Sequence, residues 1–259
     1  MKIINIVILG IYSALLSATA NEIILNLPFH WKLSQPLLSP VKRPEDPCFS
    51  VKDPTVVYYE GKWHVFCTIR SEKRTHQIEY ISFDKWENAN KSERYILKCR
   101  ESYFCAPQVF YFTPHKKWYM IYQVGEPNRK LQLQPAFSIT DNISDPESWS
   151  QAKLLFPDAD PKGVEVWIDF WVICDKEKVY LFFTSLNGKM WRMWTTLDKF
   201  TYGFDHLELA LQADIFEASH TYKLLNQDKY LTVVEAQGRE GRRYYKAYVA
   251  DKLDGEWMP

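Results

Sequence analysis

One pattern recurs four times along the chain and limits what it can fold into. Each copy is an apolar or aromatic run, a short polar turn carrying a lysine, and a second aromatic run. The first is Asp53 to Tyr59, turn Glu60-Gly61-Lys62, then Trp63 to Phe66. The second is Ala106 to Phe112, turn Thr113 to Lys117, then Trp118 to Tyr122. The third is Asp169 to Cys174, turn Asp175 to Lys178, then Val179 to Phe183; the fourth is Ala218 to Leu225, turn Asn226 to Lys229, then Tyr230 to Val234. Each reads as a β-hairpin. More strand-like sequence follows each hairpin, at His76 to Phe83, Pro135 to Thr140, Lys189 to Thr195 and Arg243 to Ala250. The turn lysines Lys62, Lys117, Lys178 and Lys229 stand 55, 61 and 51 residues apart. A β-rich repeat of that period predicts a propeller with one blade per repeat. A β-sandwich also uses serial hairpins, but its spacing has no need to be regular. Another block is due at roughly position 270, whereas the sequence stops at Pro259 on the turn signal Leu253-Asp254-Gly255-Glu256-Trp257. Either four blades close the ring or a fifth is absent; because the sequence stops where the next blade would begin, the expectation is an all-β, five-bladed β-propeller whose last blade is missing from this chain.

The N-terminus has a different character. Lys2, an apolar run over Ile3 to Leu16 and the small-x-small triplet Ala18-Thr19-Ala20 read as a cleaved signal peptide over residues 1–20. The run is short for a membrane span and no basic cluster follows it. Residues 21–259 are then the exported propeller domain, secreted to an extracellular or periplasmic space. Cys48, Cys67, Cys99, Cys105 and Cys174 are odd in number, so at least one has no partner within the chain. Cys67 and Cys174 lie inside apolar runs and read as buried hydrophobes. No Cys/His metal spacing, HExxH array, phosphate loop or G-x-S-x-G elbow occurs. Lys plus Arg and Asp plus Glu both number 32, which disfavours a nucleic-acid partner. The 10 Trp, 16 Tyr and 15 Phe suit a β-rich core and a surface that stacks on sugar rings.

Three acids stand in odd places. Asp53 opens an almost wholly apolar strand, Asp169 interrupts Trp167-Ile168-Asp169-Phe170-Trp171, and Glu217 sits in Ile215-Phe216-Glu217-Ala218. A carboxylate among apolar residues costs several kcal/mol unless paired or functional. Any one of them alone is explained by a turn hydrogen bond or an ion pair, such as Lys52 with Asp53. Three, each at the start of a different hairpin, converge on one mouth, because the first strands of propeller blades line the axis. Carboxylates around an aromatic-rich funnel point to glycoside hydrolysis, where one acid is protonated and another ionised.

Specific segments carry a resemblance. Val51-Lys52-Asp53-Pro54-Thr55-Val56-Val57-Tyr58 with Gly61-Lys62-Trp63 resembles the first blade of glycoside hydrolase family 62. Ala106-Pro107-Gln108-Val109-Phe110 with Tyr122-Gln123 is similar to its second, and Trp167 to Asp175 with Asn187-Gly188-Lys189 to its third. Phe216-Glu217-Ala218, Val234-Glu235-Ala236 and Gly241-Arg242-Arg243-Tyr244-Tyr245 match its fourth. The resemblance implies a secreted, monomeric α-L-arabinofuranosidase that removes arabinofuranosyl groups from arabinoxylan with inversion. Asp53 would be the general base, Glu217 the general acid, and Asp169 the residue that tunes the acid and holds arabinose. Lys52, Gln123, Asn187 and Arg243 are candidate sugar contacts. Inversion implies roughly 6.5–9.5 Å between the Asp53 and Glu217 carboxyls. No catalytic cofactor is implied; the family's structural calcium is tied to a histidine of its last blade, beyond this chain's end. Val124 stands where the family has Trp, and the stretch Gly125 to Gln134 departs from it. Without the last blade, the chain alone is expected to be unstable or inactive, because open strand edges are left unpaired. The alternatives are another pentosidase of a related propeller family, or a non-catalytic sugar-binding propeller.

Overall fold

The computed structural model describes Lys32 and residues 34–259 apart from Asn226, with Arg239 by its backbone only. The expected signal peptide lies outside the described residues. The described chain is all β, with fifteen strands in four antiparallel sheets. Blade 1 holds β1 (Cys48–Tyr59), β2 (Lys62–Ser71), β3 (Thr75–Phe83) and β4 (Arg94–Ile96). Blade 2 holds β5 (Phe104–Phe112), β6 (Lys117–Gly125), β7 (Leu133–Thr140) and β8 (Lys153–Leu154). Blade 3 holds β9 (Ile168–Cys174), β10 (Lys178–Thr184), β11 (Lys189–Thr196) and β12 (His206–Gln212). Blade 4 has three strands, β13 (Glu217–Lys223), β14 (Tyr230–Gln237) and β15 (Arg243–Ala250). The four hairpins and their third strands are those the repeat predicts. The outer strands β4, β8 and β12 were not foreseen: two are only two or three residues long and carry no alternation of their own.

Turn chemistry explains the hairpins. Glu60 and Gly61 both have positive φ, 48° and 77°, the arrangement of the tight turn that matches strand twist. In blade 3 the Asp175 carboxylate accepts from the backbone N–H groups of Glu177 and Lys178, at 2.8 and 2.7 Å.

Aromatic clusters fill the three seams between successive blades. Phe66 and Tyr80 meet Phe104, Met120 and Tyr122. Tyr119, Ile121 and Phe137 meet Phe170, Val172 and Phe183. Trp171, Tyr180 and Phe182 meet Tyr230, Val234 and Tyr248. The other face of blade 1, with Val65, Cys67, Ile81 and Phe83, is packed by Leu38. All five cysteines are free thiols; Cys67 is fully buried and Cys174 partly so.

The four innermost strands share one irregularity. In each, a four-residue segment of the inner strand spans only three residues of its neighbour, over Lys52 to Thr55, Cys105 to Gln108, Ile168 to Trp171, and Glu217 to His220. The second residue of every bulge is left-handed: Asp53, Ala106, Asp169 and Ala218 have φ of 51°, 53°, 57° and 59°. A β-bulge bends the strand and re-aims its side chains, and a left-handed non-glycine residue costs roughly 1–2 kcal/mol.

Two residues beyond each left-handed position stands a side chain that clamps the next blade. Thr55 Oγ1 donates to the Pro107 carbonyl at 2.5 Å. Gln108 closes a pair with Val172, donating to its carbonyl and accepting from its N–H, both at 2.6 Å. Trp171 Nε1 donates to the Thr221 carbonyl at 2.7 Å. Buried backbone groups facing the axis thereby find partners. The fourth residue of this set, His220, stacks on Trp171 with ring centroids 4.2 Å apart, and no inner strand lies beyond it among the described residues.

Candidate active site

The bulges place the acids. Asp53 and Asp169 occupy the left-handed position of blades 1 and 3, and Glu217 stands one residue before that of blade 4. Lys52 and Cys105 hold the position equivalent to Glu217 in blades 1 and 2. Asp53 Oδ2 lies 3.4 Å from Lys52 Nζ, and it is buried with no hydrogen-bond donor. Asp169 Oδ2 accepts the Ala218 N–H at 2.9 Å, tying β9 to β13 at the mouth.

The three carboxyls act on one another. Burial, followed by the Glu217 charge, pushes Asp169 up to about 7 against the pull of the Ala218 N–H; the Asp53 charge adds to the rise. Glu217 is also raised, by burial first and then by Glu235, with Arg243 and Lys52 opposing and Asp53 contributing. Arg243 Nη1 is 2.9 Å from Glu235 Oε1 and 3.7 Å from Glu217 Oε1. Its guanidinium lies over the Phe216 ring at 3.4 Å. The sequence thus brings Asp53, Asp169, Glu217, Lys52 and Arg243 into one group, with Arg243 engaged chiefly by Glu235.

Gln123 pairs with Cys105 across β5 and β6, in the wall next to Asp53 and Asp169. Asn187 is placed differently. It sits in the turn after β10, accepts from Ser185 Oγ at 2.6 Å, and lines a cavity of about 280 Å³ with Glu165, Lys189 and Trp191. Asp53, Asp169 and Glu217 do not line that cavity. Val124 is fully buried with Phe104 in the seam between blades 1 and 2, so here that position faces the core.

Residues outside the predicted catalytic and sugar-contact set join the mouth. Glu235 is the direct cross-strand partner of Glu217; its setting in Val233-Val234-Glu235-Ala236 is the same acid-among-apolar signal that marked the other three. Tyr245, opposite Glu235 on β15, presents an exposed ring whose hydroxyl is raised by burial and by the charges of Glu235, Asp53 and Glu217. His76 is lowered by burial and then by Arg70 and Lys52, and its Nδ1 is buried without a partner. His220, held down to about 4 by burial, is a neutral ring beside this group. No group of three or more His, Cys, Asp or Glu among the described residues is placed to hold a metal ion.

With this geometry in hand, similarity to other proteins takes on meaning. The sequence matches the glycosyl hydrolase family 62 pattern over residues 35–259. It is 34% identical over 243 residues to alpha-L-arabinofuranosidase C of Cellvibrio japonicus (strain Ueda107), covering 91% of this chain and 36% of that protein. The chain therefore spans about a third of that relative's length. The catalytic domain of a Coprinopsis cinerea GH62 alpha-L-arabinofuranosidase superposes with a TM-score of 0.78 at 32% identity, over 86% of this chain and 71% of that one. A GH62 hydrolase solved in complex with xylotriose gives the same TM-score and identity, over 86% and 72%. The matched residues span all four blades, and the chain belongs to glycosyl hydrolase family 62.

Proposed function

We propose that the protein is a secreted, monomeric, inverting α-L-arabinofuranosidase that removes arabinofuranosyl side groups from arabinoxylan. The observation that carries this reading is the convergence of Asp53, Asp169 and Glu217 on one mouth, with Asp169 raised by burial and the Glu217 charge, and Glu217 raised by burial and the Glu235 charge. Glycoside hydrolysis requires one carboxyl that holds a proton and one that takes it. The relatives named for arabinofuranosidase activity, and the one solved with xylotriose, support the choice of sugar and polymer.

In this scheme the Asp53 carboxylate, steadied by Lys52, takes a proton from water as the water oxygen bonds to the anomeric carbon. Glu217 gives its proton to the departing xylose oxygen as the glycosidic bond breaks. One proton enters at Asp53 and one leaves Glu217, and a proton exchange with solvent restores both. Asp169 holds the sugar, while burial and the Glu235 charge keep the acid's proton affinity high. Lys52, Gln123 and Arg243 act as sugar contacts or supports, and Asn187 would meet a part of the polymer away from the scissile bond. The reading includes the fifth blade of the family pattern: Leu231, Val233, Ala247 and Val249 form a partly exposed apolar row on the face of blade 4 turned from blade 3, fit to receive a sheet.

The test is arabinose release from arabinoxylan, with the anomer of the first product followed by proton NMR. Release as the inverted anomer, abolished by Glu217→Gln, is the expected result. No release, with xylose or another pentose freed from other substrates, would assign the chain to a different pentosidase activity. Saccharide binding without any release would leave a carbohydrate-binding propeller.

A further inference from the structure

In the wall of the mouth between Asp53 and Asp169, Gln123 belongs to a polar cluster whose other members, Tyr103 and Cys105, the reaction scheme leaves unused. Gln123 is 3% exposed. Its Nε2 donates to the Tyr103 hydroxyl at 3.2 Å and lies 3.7 Å from Cys105 Sγ, while the Cys105 thiol donates to the same hydroxyl at 3.2 Å. The Gln123 Oε1 on the other side of the amide is buried and has no partner. A buried carbonyl left without a donor costs on the order of 1–3 kcal/mol, so an orphan in a mouth lined by carboxyls marks a place where a ligand supplies the missing bond. Tyr103 is itself well held. Its ring lies 4.9 Å from that of His76, and its carbonyl accepts the Gly125 N–H at 3.3 Å. A Cβ on Gly125 would come within 3.6 Å of the Tyr103 side chain, so the backbone runs close beside it. The electrostatics agree with the location: Cys105 is pushed up to about 12 by burial and feels Asp53 and Asp169.

We propose that Tyr103 is a positioning residue which, with Cys105, engages the NH2 side of the Gln123 amide so that its Oε1 faces the mouth as an acceptor for one sugar hydroxyl. The inference rests on the proposed arabinofuranosidase reading and adds to it a demand on the substrate: a hydroxyl donor at the point that meets Gln123. Tyr103 acts through Gln123 and touches no reacting atom.

The experiment is titration calorimetry on the full chain carrying Glu217→Gln, with xylotriose bearing one arabinofuranosyl group as the probe. Gln123→Ala and Tyr103→Phe are added singly and together, and Cys105→Ala serves if Tyr103→Phe fails to fold. Loss of one hydrogen bond weakens binding about fivefold to tenfold, which is the effect expected of each single change. The pair is expected to bind no worse than Gln123→Ala alone, since Tyr103 has nothing left to orient. A residue that only supported the fold would lower the unfolding midpoint, and its loss would multiply with that of Gln123. In a second arm the arabinose hydroxyls of the probe are replaced one at a time by fluorine, which cannot donate. One replacement should cost as much as Gln123→Ala and cost nothing further in that variant. Wild-type-like binding by Tyr103→Phe, independent losses in the pair, or equal binding of all fluorinated probes would overturn the inference while leaving the reaction intact. Failure of the chain with Tyr103 and Gln123 in place to bind the arabinosylated probe at all would overturn the functional reading and this one together.

Discussion

Two rings of side chains, two residues apart on the same four strands, have opposite characters. The bulge ring, with Asp53, Ala106, Asp169 and Ala218, holds left-handed backbone, mutually repelling carboxyls and an orphaned Asp53 oxygen. The clamp ring, with Thr55, Gln108 and Trp171, gives each side chain a hydrogen bond to the next blade. Strain and unmet polarity gather where a substrate would enter, and satisfied bonds gather immediately behind. The lesson is mechanical: a strained site is held by a neighbouring layer that has no freedom to relax toward it.

The largest effect should come from the acid that stands next to the bulge ring in blade 4. Glu217→Gln is expected to lower arabinose release by about 100- to 10,000-fold, the range for loss of a general acid. Its urea unfolding curve should stay close to that of the parent. A large loss of stability in this variant would break the contrast between the rings.

The clamp ring should show the reverse. Gln108→Ala strips partners from both the N–H and the carbonyl of Val172, and is expected to cost about 2–5 kcal/mol in chemical denaturation. The protein that remains folded should keep KM near the parent value. Loss of turnover with unchanged stability would show that the clamp belongs to the site.

The pH dependence sharpens the comparison further. Asp169 has its pKa raised to about 7 in the folded protein. Folding is then favoured in full at pH below the ordinary carboxyl value, and this contribution is lost as pH rises through 7. Relative to Asp169→Asn, the parent should lose thermal stability between about pH 4 and 8. A difference between the two that does not change with pH would contradict the raised value. The smallest effect is expected at Ala106, left-handed without an acid to present. Ala106→Gly should stabilise by about 0.5–1 kcal/mol, because glycine carries no Cβ penalty there. Destabilisation would mean that the bulge is not strained at that blade.

Much of this organisation was legible before any coordinates. Alternation in the four hairpins is a local property, so the strands and their order followed from it. The acids stood out because each interrupts apolar sequence. The bulges did not stand out: Lys52-Asp53-Pro54-Thr55, Cys105-Ala106-Pro107-Gln108, Ile168-Asp169-Phe170-Trp171 and Glu217-Ala218-Ser219-His220 have no residue type in common at any one position. A bulge is a count of residues against a partner strand, and the partner is not visible in the segment itself. The pairing of Glu235 with Glu217 was hidden for a similar reason, since it is a matter of register between β13 and β14. Asn187 shows the converse. Its segment matched the family pattern, yet the turn after β10 directs it into a separate cavity.

What the sequence determined by itself was therefore the repeat, the β class and the types of group available for chemistry, because alternation and turn residues act over a few neighbours. Tertiary structure decided which groups meet. The raised Asp169, the Arg243 bridge to Glu235 and the orphaned Gln123 oxygen all depend on contacts between strands or blades distant in sequence. Burial and charge interaction depend on distance in space, and only the closure of blade on blade sets that distance.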